Sequence, residues 1–196
     1  KDFTELGMKP RYTTEEAMDR AAVVIDCTPV GNRNKEEVYA PIADSGKGFI
    51  AQGSERGFGK PYALDINDST LVPGQDRFIQ VVSCNTHNIC ALLRALAFDG
   101  DLANADNLVE GRFLCVRRAS DASQEGSFIA APKVGSHGVE HHGTHHARDA
   151  HGVFKTLGHD LRLFSSAMQI STQYMHTLCF SVRLREAIDT NEATRR

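Results

Sequence analysis

The sequence predicts an α/β chain in which residues 1–83 build a parallel sheet and residues 84–196 form an α+β unit with a mostly antiparallel sheet. Three observations predict it. Short continuous apolar runs, Ala22-Val23-Val24-Ile25-Asp26-Cys27 and Gly48-Phe49-Ile50-Ala51-Gln52, alternate with helix-forming stretches, as strands buried on both faces of a parallel sheet do. A further β-type run, Phe78-Ile79-Gln80-Val81-Val82, leads straight into an amphipathic helix. Beyond that helix the strands alternate polar and apolar residues, which suits a sheet covered on one side. The change of pattern places a domain boundary near Cys84.

In chain order, Thr13 or Thr14 ahead of Glu15, Glu16, Ala17 and Met18 reads as a capped helix start, with acidic residues where the helix dipole favours them. The strand at 22–27 follows and is broken by Pro29, Gly31 and Asn32. Residues 35–43 can form a helix, and 48–52 give the next strand. After the run at 78–82, Ile89, Leu92, Leu93 and Leu96 fall at i, i+3, i+4 and i+7, one apolar face of a helix expected to stop near Asp99-Gly100. Strands are expected at 112–117, 161–170 and 178–184, with loops at 120–126 and 135–143.

Composition narrows the function classes. The chain has 196 residues, 41% hydrophobic and 24% charged, with a net charge of −3. With no basic run, nothing points to nucleic acid, and no stretch reaches the ~18 apolar residues of a membrane span. Cysteines 27, 84, 90, 115 and 179 are odd in number and scattered, so they read as reduced thiols in the cytoplasm and not as a disulfide framework. The chain begins at Lys1, and no G-x-G-x-x-G follows a strand. It therefore reads as a fragment of a longer chain.

Cys84 stands out chemically. It sits in the first turn of the helix after a buried strand, where unpaired N–H groups and the dipole favour a thiolate. Cys27, Cys115 and Cys179 lie in apolar strands and read as core, and Cys90 reads as packing within the helix. Arg117-Arg118 at a strand end can offer a guanidinium fork to a phosphate, and because neighbours on a strand point to opposite faces, only one should enter a site. Thr28-Pro29 and Gly53-Ser54 follow parallel strands, whose carboxyl ends are where dinucleotides lie.

Taken together, Ser83-Cys84-Asn85-Thr86 followed by Ile89-Cys90-Ala91-Leu92-Leu93, with Asp26-Cys27-Thr28-Pro29-Val30-Gly31, Gln52-Gly53-Ser54-Glu55, Val116-Arg117-Arg118-Ala119-Ser120-Asp121, His145-His146 and Tyr174-Met175-His176, resembles the archaeal-type glyceraldehyde-3-phosphate dehydrogenases. The motifs are collinear over roughly residues 20 to 185. The resemblance implies the second half of a Rossmann NAD(P)-binding domain over 1–83, with its glycine-rich first βαβ unit upstream of Lys1, and part of a catalytic domain over 84–196, with further elements downstream of Arg196. It implies oxidation of glyceraldehyde 3-phosphate, with inorganic phosphate and NAD or NADP, through a cysteine thiohemiacetal and thioester, in a homotetramer serving glycolysis or gluconeogenesis. Cys84 would be the nucleophile and His176 the general base. Ser83, Asn85, His145, His146 and Arg117 would meet substrate, and Thr28, Pro29, Gly53, Ser54 and Arg118 the cofactor. The chain departs from the family pattern at Ser54, where a second glycine is usual, at His87-Asn88 in place of Thr-Gly, and at Ala147-Arg148 in place of Gly-Pro. These departures bear on substrate preference and nicotinamide choice.

Two other readings fit the residues. A related dehydrogenase forming the same cysteine acyl-enzyme would act on a semialdehyde. A non-catalytic metal-binding module is suggested by the histidines crowded between His137 and His151, since His141-His142 and His145-His146 include i, i+4 pairs. Against the latter, no H-E-x-x-H occurs, and Gly138 and Gly143 break up any single helix holding the ligands. No metal ligand is assigned.

Overall fold

The computed structural model describes residues 2–53, 55–98, 102–119, 132–171 and 175–196. A short helix, α1 (Asp2–Glu5), precedes α2 (Thr14–Arg20). Thr13 caps α2 as expected: its hydroxyl accepts the Glu16 N–H at 3.2 Å while the Glu16 carboxylate accepts the Thr13 N–H at 2.8 Å. Strand β1 (Val23–Asp26) leads to α3 (Gly31–Asn34), which continues through a π turn, Lys35–Tyr39, and a 3-10 turn, Ala40–Ser45. Strands β2 (Gly48–Gly53), β3 (Lys60–Tyr62) and β4 (Phe78–Val82) complete the first sheet, entirely parallel and ordered β1-β2-β4-β3.

Val23 and Ile25 on β1 are 51% and 64% exposed, so the expectation of burial on both faces fails for this strand. These two side chains lie on the face of the sheet that the described residues leave largely uncovered. β2 meets the expectation on one face only: Phe49 and Ala51 are fully buried while Ile50 is half-buried and Gln52 exposed, and Phe49 stacks between Tyr39 and Phe78 at 5.1 and 4.9 Å.

Helix α4 (Cys84–Leu96) follows β4 after one residue. It stops at Leu96, short of the expected Asp99-Gly100, which lies outside the described residues. The second sheet contains β5 (Leu108–Arg117), β6 (Lys133–Val134), β7 (Leu163–Gln169) and β8 (Thr177–Leu184), ordered β6-β7-β5-β8. Helix α5 (His145–Lys155) precedes β7, and α6 (Thr190–Arg195) follows β8. The sheet is mixed. Antiparallel pairing holds for β5–β8 and β6–β7, but β5 and β7 run parallel over seven residue pairs. The reason is the long connection through α5, which returns the chain to the starting end of the sheet before β7 begins.

The larger core lies beneath α4 and α5. Ile89, Cys90 and Leu93 from α4 pack with Ala147, Ala150, Val153 and Phe154 from α5 and with Phe113 and Leu163 from the sheet. Val82, Ala63 and Ile66 join the same cluster. Asn67, fully buried, ties this junction: its Nδ2 donates to Pro61 O at 2.8 Å and Thr156 Oγ1 at 2.9 Å, and its Oδ1 accepts from Ala63 N at 3.0 Å. The end of α5 is thereby tied to the β3 region.

Candidate active site

Parallel strands end together, and here that brings β4 and β2 to a common edge. Gly53 is paired with Val82, so Ser83 and Cys84 follow immediately beyond the end of β2. Ser83 is the N-cap of α4, with extended backbone (φ −63°, ψ 158°) and a hydroxyl that accepts from Thr86 N at 3.4 Å. Cys84 is the first helical residue and is exposed. Asn85, in the first turn, is buried, and its Oδ1 has no hydrogen-bond partner among the described residues.

A second helix N-terminus meets the first. Ser83 Oγ lies 3.5 Å from Nδ1 of His146 and 2.9 Å from the Thr86 hydroxyl. His145 and His146 open α5, their ring centres 3.9 Å apart. The α5 N-cap, Thr144, makes no side-chain cap of its own. Instead Ser165 on β7 accepts the Ala147 N–H at 2.9 Å and shares a 2.7 Å hydrogen bond with the Thr144 hydroxyl. Gly143 permits the close crossing: its φ is +73°, and a Cβ there would fall 2.4 Å from Ser165 O.

Burial first, then the charges of His145, Arg117 and His176, push the His146 pKa down to about 3. That ring is neutral at any physiological pH. Burial also lowers His145, opposed by the carboxylate of Asp149 and reinforced by Arg148 and Arg117. Of the arginine pair, it is Arg117, the last residue of β5, whose charge reaches both histidines. Arg118 contributes its backbone: its N–H donates to Nδ1 of His176 at 3.1 Å. His176 lies just ahead of β8 and is half-buried. Because its Nδ1 accepts that bond, the resting ring carries its proton on Nε2.

Ser83, next to Cys84, thus meets His146, and His145, Arg117 and His176 act on that same ring from α5, β5 and the entry to β8. Of the other cysteines, Cys90 and Cys115 are buried, and burial raises both thiols, Cys115 to about 11. Cys27 and Cys179 are exposed, contrary to a core role, Cys27 because β1 ends one residue earlier and Cys179 because it lies on the uncovered side of β8.

Beyond the carboxyl end of β1, Thr28 and Pro29 form an exposed turn. The turn is built on buried Asp26, which accepts from Thr28 N at 2.7 Å, Asn34 Nδ2 at 2.9 Å and the Tyr39 hydroxyl at 2.8 Å. Burial alone would raise the Asp26 carboxyl, and these hydrogen bonds hold it below its usual value. Burial and Asp26 push Tyr39 up to about 12. Gly53 has φ +80° with open space where a Cβ would stand, and its carbonyl accepts from Gln80 at 3.1 Å. Ser54 lies outside the described residues. Glu55, in the 52–55 motif but with no role read for it there, accepts the Asn32 N–H at 3.1 Å at the start of α3. Ser165 was equally hidden, because its contribution is made eighteen residues from the helix it caps.

No family model matches the chain. It is 30% identical over 202 residues to the glyceraldehyde-3-phosphate dehydrogenase of Methanobacterium bryantii, covering 97% of this chain and 52% of that protein. The enzyme of the same name from Methanobacterium formicicum is 30% identical over 200 residues, and that from Metallosphaera sedula 29% over 198. The chain spans about half the length of the curated relatives it matches. Across nearly all of its own length, it is a relative of the archaeal-type glyceraldehyde-3-phosphate dehydrogenases.

Proposed function

We propose that the cluster around Cys84 is the acyl-transfer centre of a phosphorylating glyceraldehyde-3-phosphate dehydrogenase. The supporting observation is the exposed Cys84 at the first position of α4, directly after Ser83, whose hydroxyl lies 3.5 Å from Nδ1 of His146, the ring on which the charges of His145, Arg117 and His176 bear. The domain boundary falls at this residue, with 1–83 serving the cofactor and 84–196 the chemistry.

In this reading the Cys84 thiolate, next to the positive end of α4, forms a bond from Sγ to the aldehyde carbon, and the carbonyl electron pair moves to oxygen. His176 Nε2–H donates to that oxygen. His176 turns into a proton acceptor only with its proton on Nδ1, a state the Arg118 N–H opposes. His146, with its pKa near 3, is excluded as a base near neutrality and acts as a neutral hydrogen-bonding group. Arg117 supplies the fixed positive charge for a phosphate. NAD or NADP, when bound, supplies the hydride acceptor that takes the substrate to the thioester. Thr28, Pro29 and Gly53 fit it: they lie at the carboxyl edge of parallel strands, and the space over Gly53 is open. Inorganic phosphate then attacks the thioester carbon, the C–S bond breaks, and the electron pair returns to Cys84 Sγ.

The assembly proposed is a homotetramer in a reducing compartment. The test is the full-length enzyme with Cys84→Ser, assayed with glyceraldehyde 3-phosphate, phosphate and each nicotinamide. Turnover is expected to vanish while nicotinamide binding persists. Near-normal turnover would rule out the covalent route, and a preference of the unsubstituted enzyme for unphosphorylated semialdehydes would overturn the substrate assignment.

A further inference from the structure

Away from Cys84, a cleft of about 660 Å³ opens between α5, β5 and the lead-in to β7. His142 and His151 line it together with Asp160 and Glu110. Nothing in the proposed chemistry uses these residues.

The two imidazoles are oriented alike. His142 Nδ1 lies 3.0 Å from Leu163 O, and His151 Nδ1 lies 3.0 Å from Leu161 O. A carbonyl only accepts, so both Nδ1 atoms carry the proton and both Nε2 atoms of the neutral rings keep a lone pair. The carbonyls are two residues apart on one extended segment, so the rings hang from the same side of it. Tethering one ring nitrogen to a carbonyl is the arrangement that fixes tautomer and direction in metal-ligating histidines.

The spacing agrees. Two Nε2 atoms about 2.1 Å from one tetrahedral metal ion put their ring centres roughly 5 Å apart, and the centres of His142 and His151 are 5.0 Å apart. Asp160 supplies a carboxylate: its Oδ1 is 3.5 Å from His151 Nε2, and its side chain is largely exposed and able to turn. Among the described residues no three ligand side chains are already grouped, so the third must swing in.

We propose that His142 and His151, completed by Asp160 and water, form a surface site for a divalent transition-metal ion of the zinc class. The glycine argument against a single ligand-bearing helix stands, because His142 comes from the turn before α5 and His151 from its second turn. Two elements, and not an i, i+4 pair, make the site.

The experiment uses full-length protein purified without a tag or metal resin, in a Cys84→Ser background so that the exposed thiol takes no part. Zinc chloride is titrated calorimetrically, and cobalt chloride is followed by its visible absorption. The expected result is saturation at one ion per chain, weakened roughly ten-fold or more by His142→Gln and by His151→Gln, with a smaller loss for Asp160→Asn and none for His137→Gln. Glutamine can still donate to the Leu163 and Leu161 carbonyls, and equal metal-free unfolding midpoints would verify the fold. No saturable uptake, or uptake unchanged in both histidine variants, overturns the site.

Discussion

Ser83 Oγ and His146 Nδ1 stand 3.5 Å apart, joining the N-cap of the helix that presents Cys84 to the second residue of the helix that presents the histidine pair. The contact sits where burial keeps His146 from taking up the second proton that would charge it. The same desolvation therefore shapes both the site and the stability of the fold.

For His146 the folded pKa is about 3 against 6.5 for the free side chain. Below about pH 6.5 the unfolded ring takes up a proton and the folded one does not, so unfolding binds a proton there. Its contribution is fully present above that value and is lost as pH falls towards 3. The slope approaches about 1.4 kcal/mol per pH unit. Urea unfolding of the full-length enzyme between pH 7 and 4 should show this loss, and His146→Gln should flatten it; an equal slope in the variant would place the linkage in other groups.

His176→Asn removes the ring that Arg118 N–H orients. Turnover should fall about a hundred-fold, and alkylation of Cys84 by iodoacetamide near pH 7 should slow. If alkylation proceeds unchanged, support of the thiolate belongs to His145, since His146 stays neutral and buried.

Asn67 satisfies three hydrogen bonds from a fully buried position between the β3 region and the end of α5. Asn67→Ala leaves those groups without partners and opens a cavity, which should cost about 3 kcal/mol. Chemical denaturation measures it, and a loss below about 0.5 kcal/mol would show that the junction relaxes around the change.

Ser165→Ala strips the cap from α5. The Ala147 N–H and the buried Thr144 hydroxyl lose their partner, and the expected destabilisation is about 2 kcal/mol. KM for the phosphorylated aldehyde should rise as the histidine pair loosens. Unaltered KM with lowered stability would confine Ser165 to the fold.

Where the physics is local, the sequence was readable. The Thr13–Glu16 capping box, the apolar face of α4 and the Ser83–Cys84 helix start all depend on residues a few positions apart. Helix α5 was not readable, because Thr144 makes no cap and the capping hydroxyl is on β7. β3 is three residues long with Pro61 at its centre, too short for alternation to register. The parallel pairing of β5 with β7 follows from that unseen helix, and the exposure of Val23 and Ile25 follows from one face of the sheet lying largely uncovered among the described residues. Cys84, the histidine pair, Arg117 and His176 were each visible as residues. Their convergence, and which arginine reaches the histidines, needed the tertiary fold. The neutrality of His146 is a product of burial, to which sequence patterns are blind.

The Ser165 hydroxyl links two kinds of order. Side chains alternate along a strand, so a slip of β7 by one residue against β5 would turn this hydroxyl to the opposite face. Phe164 or Ser166 would then confront the start of α5, and neither a phenyl ring nor a displaced hydroxyl would meet the Ala147 N–H in the observed geometry. A misregistered sheet would thus unseat the histidine pair. One hydroxyl couples the register of the sheet to the seating of the histidine pair.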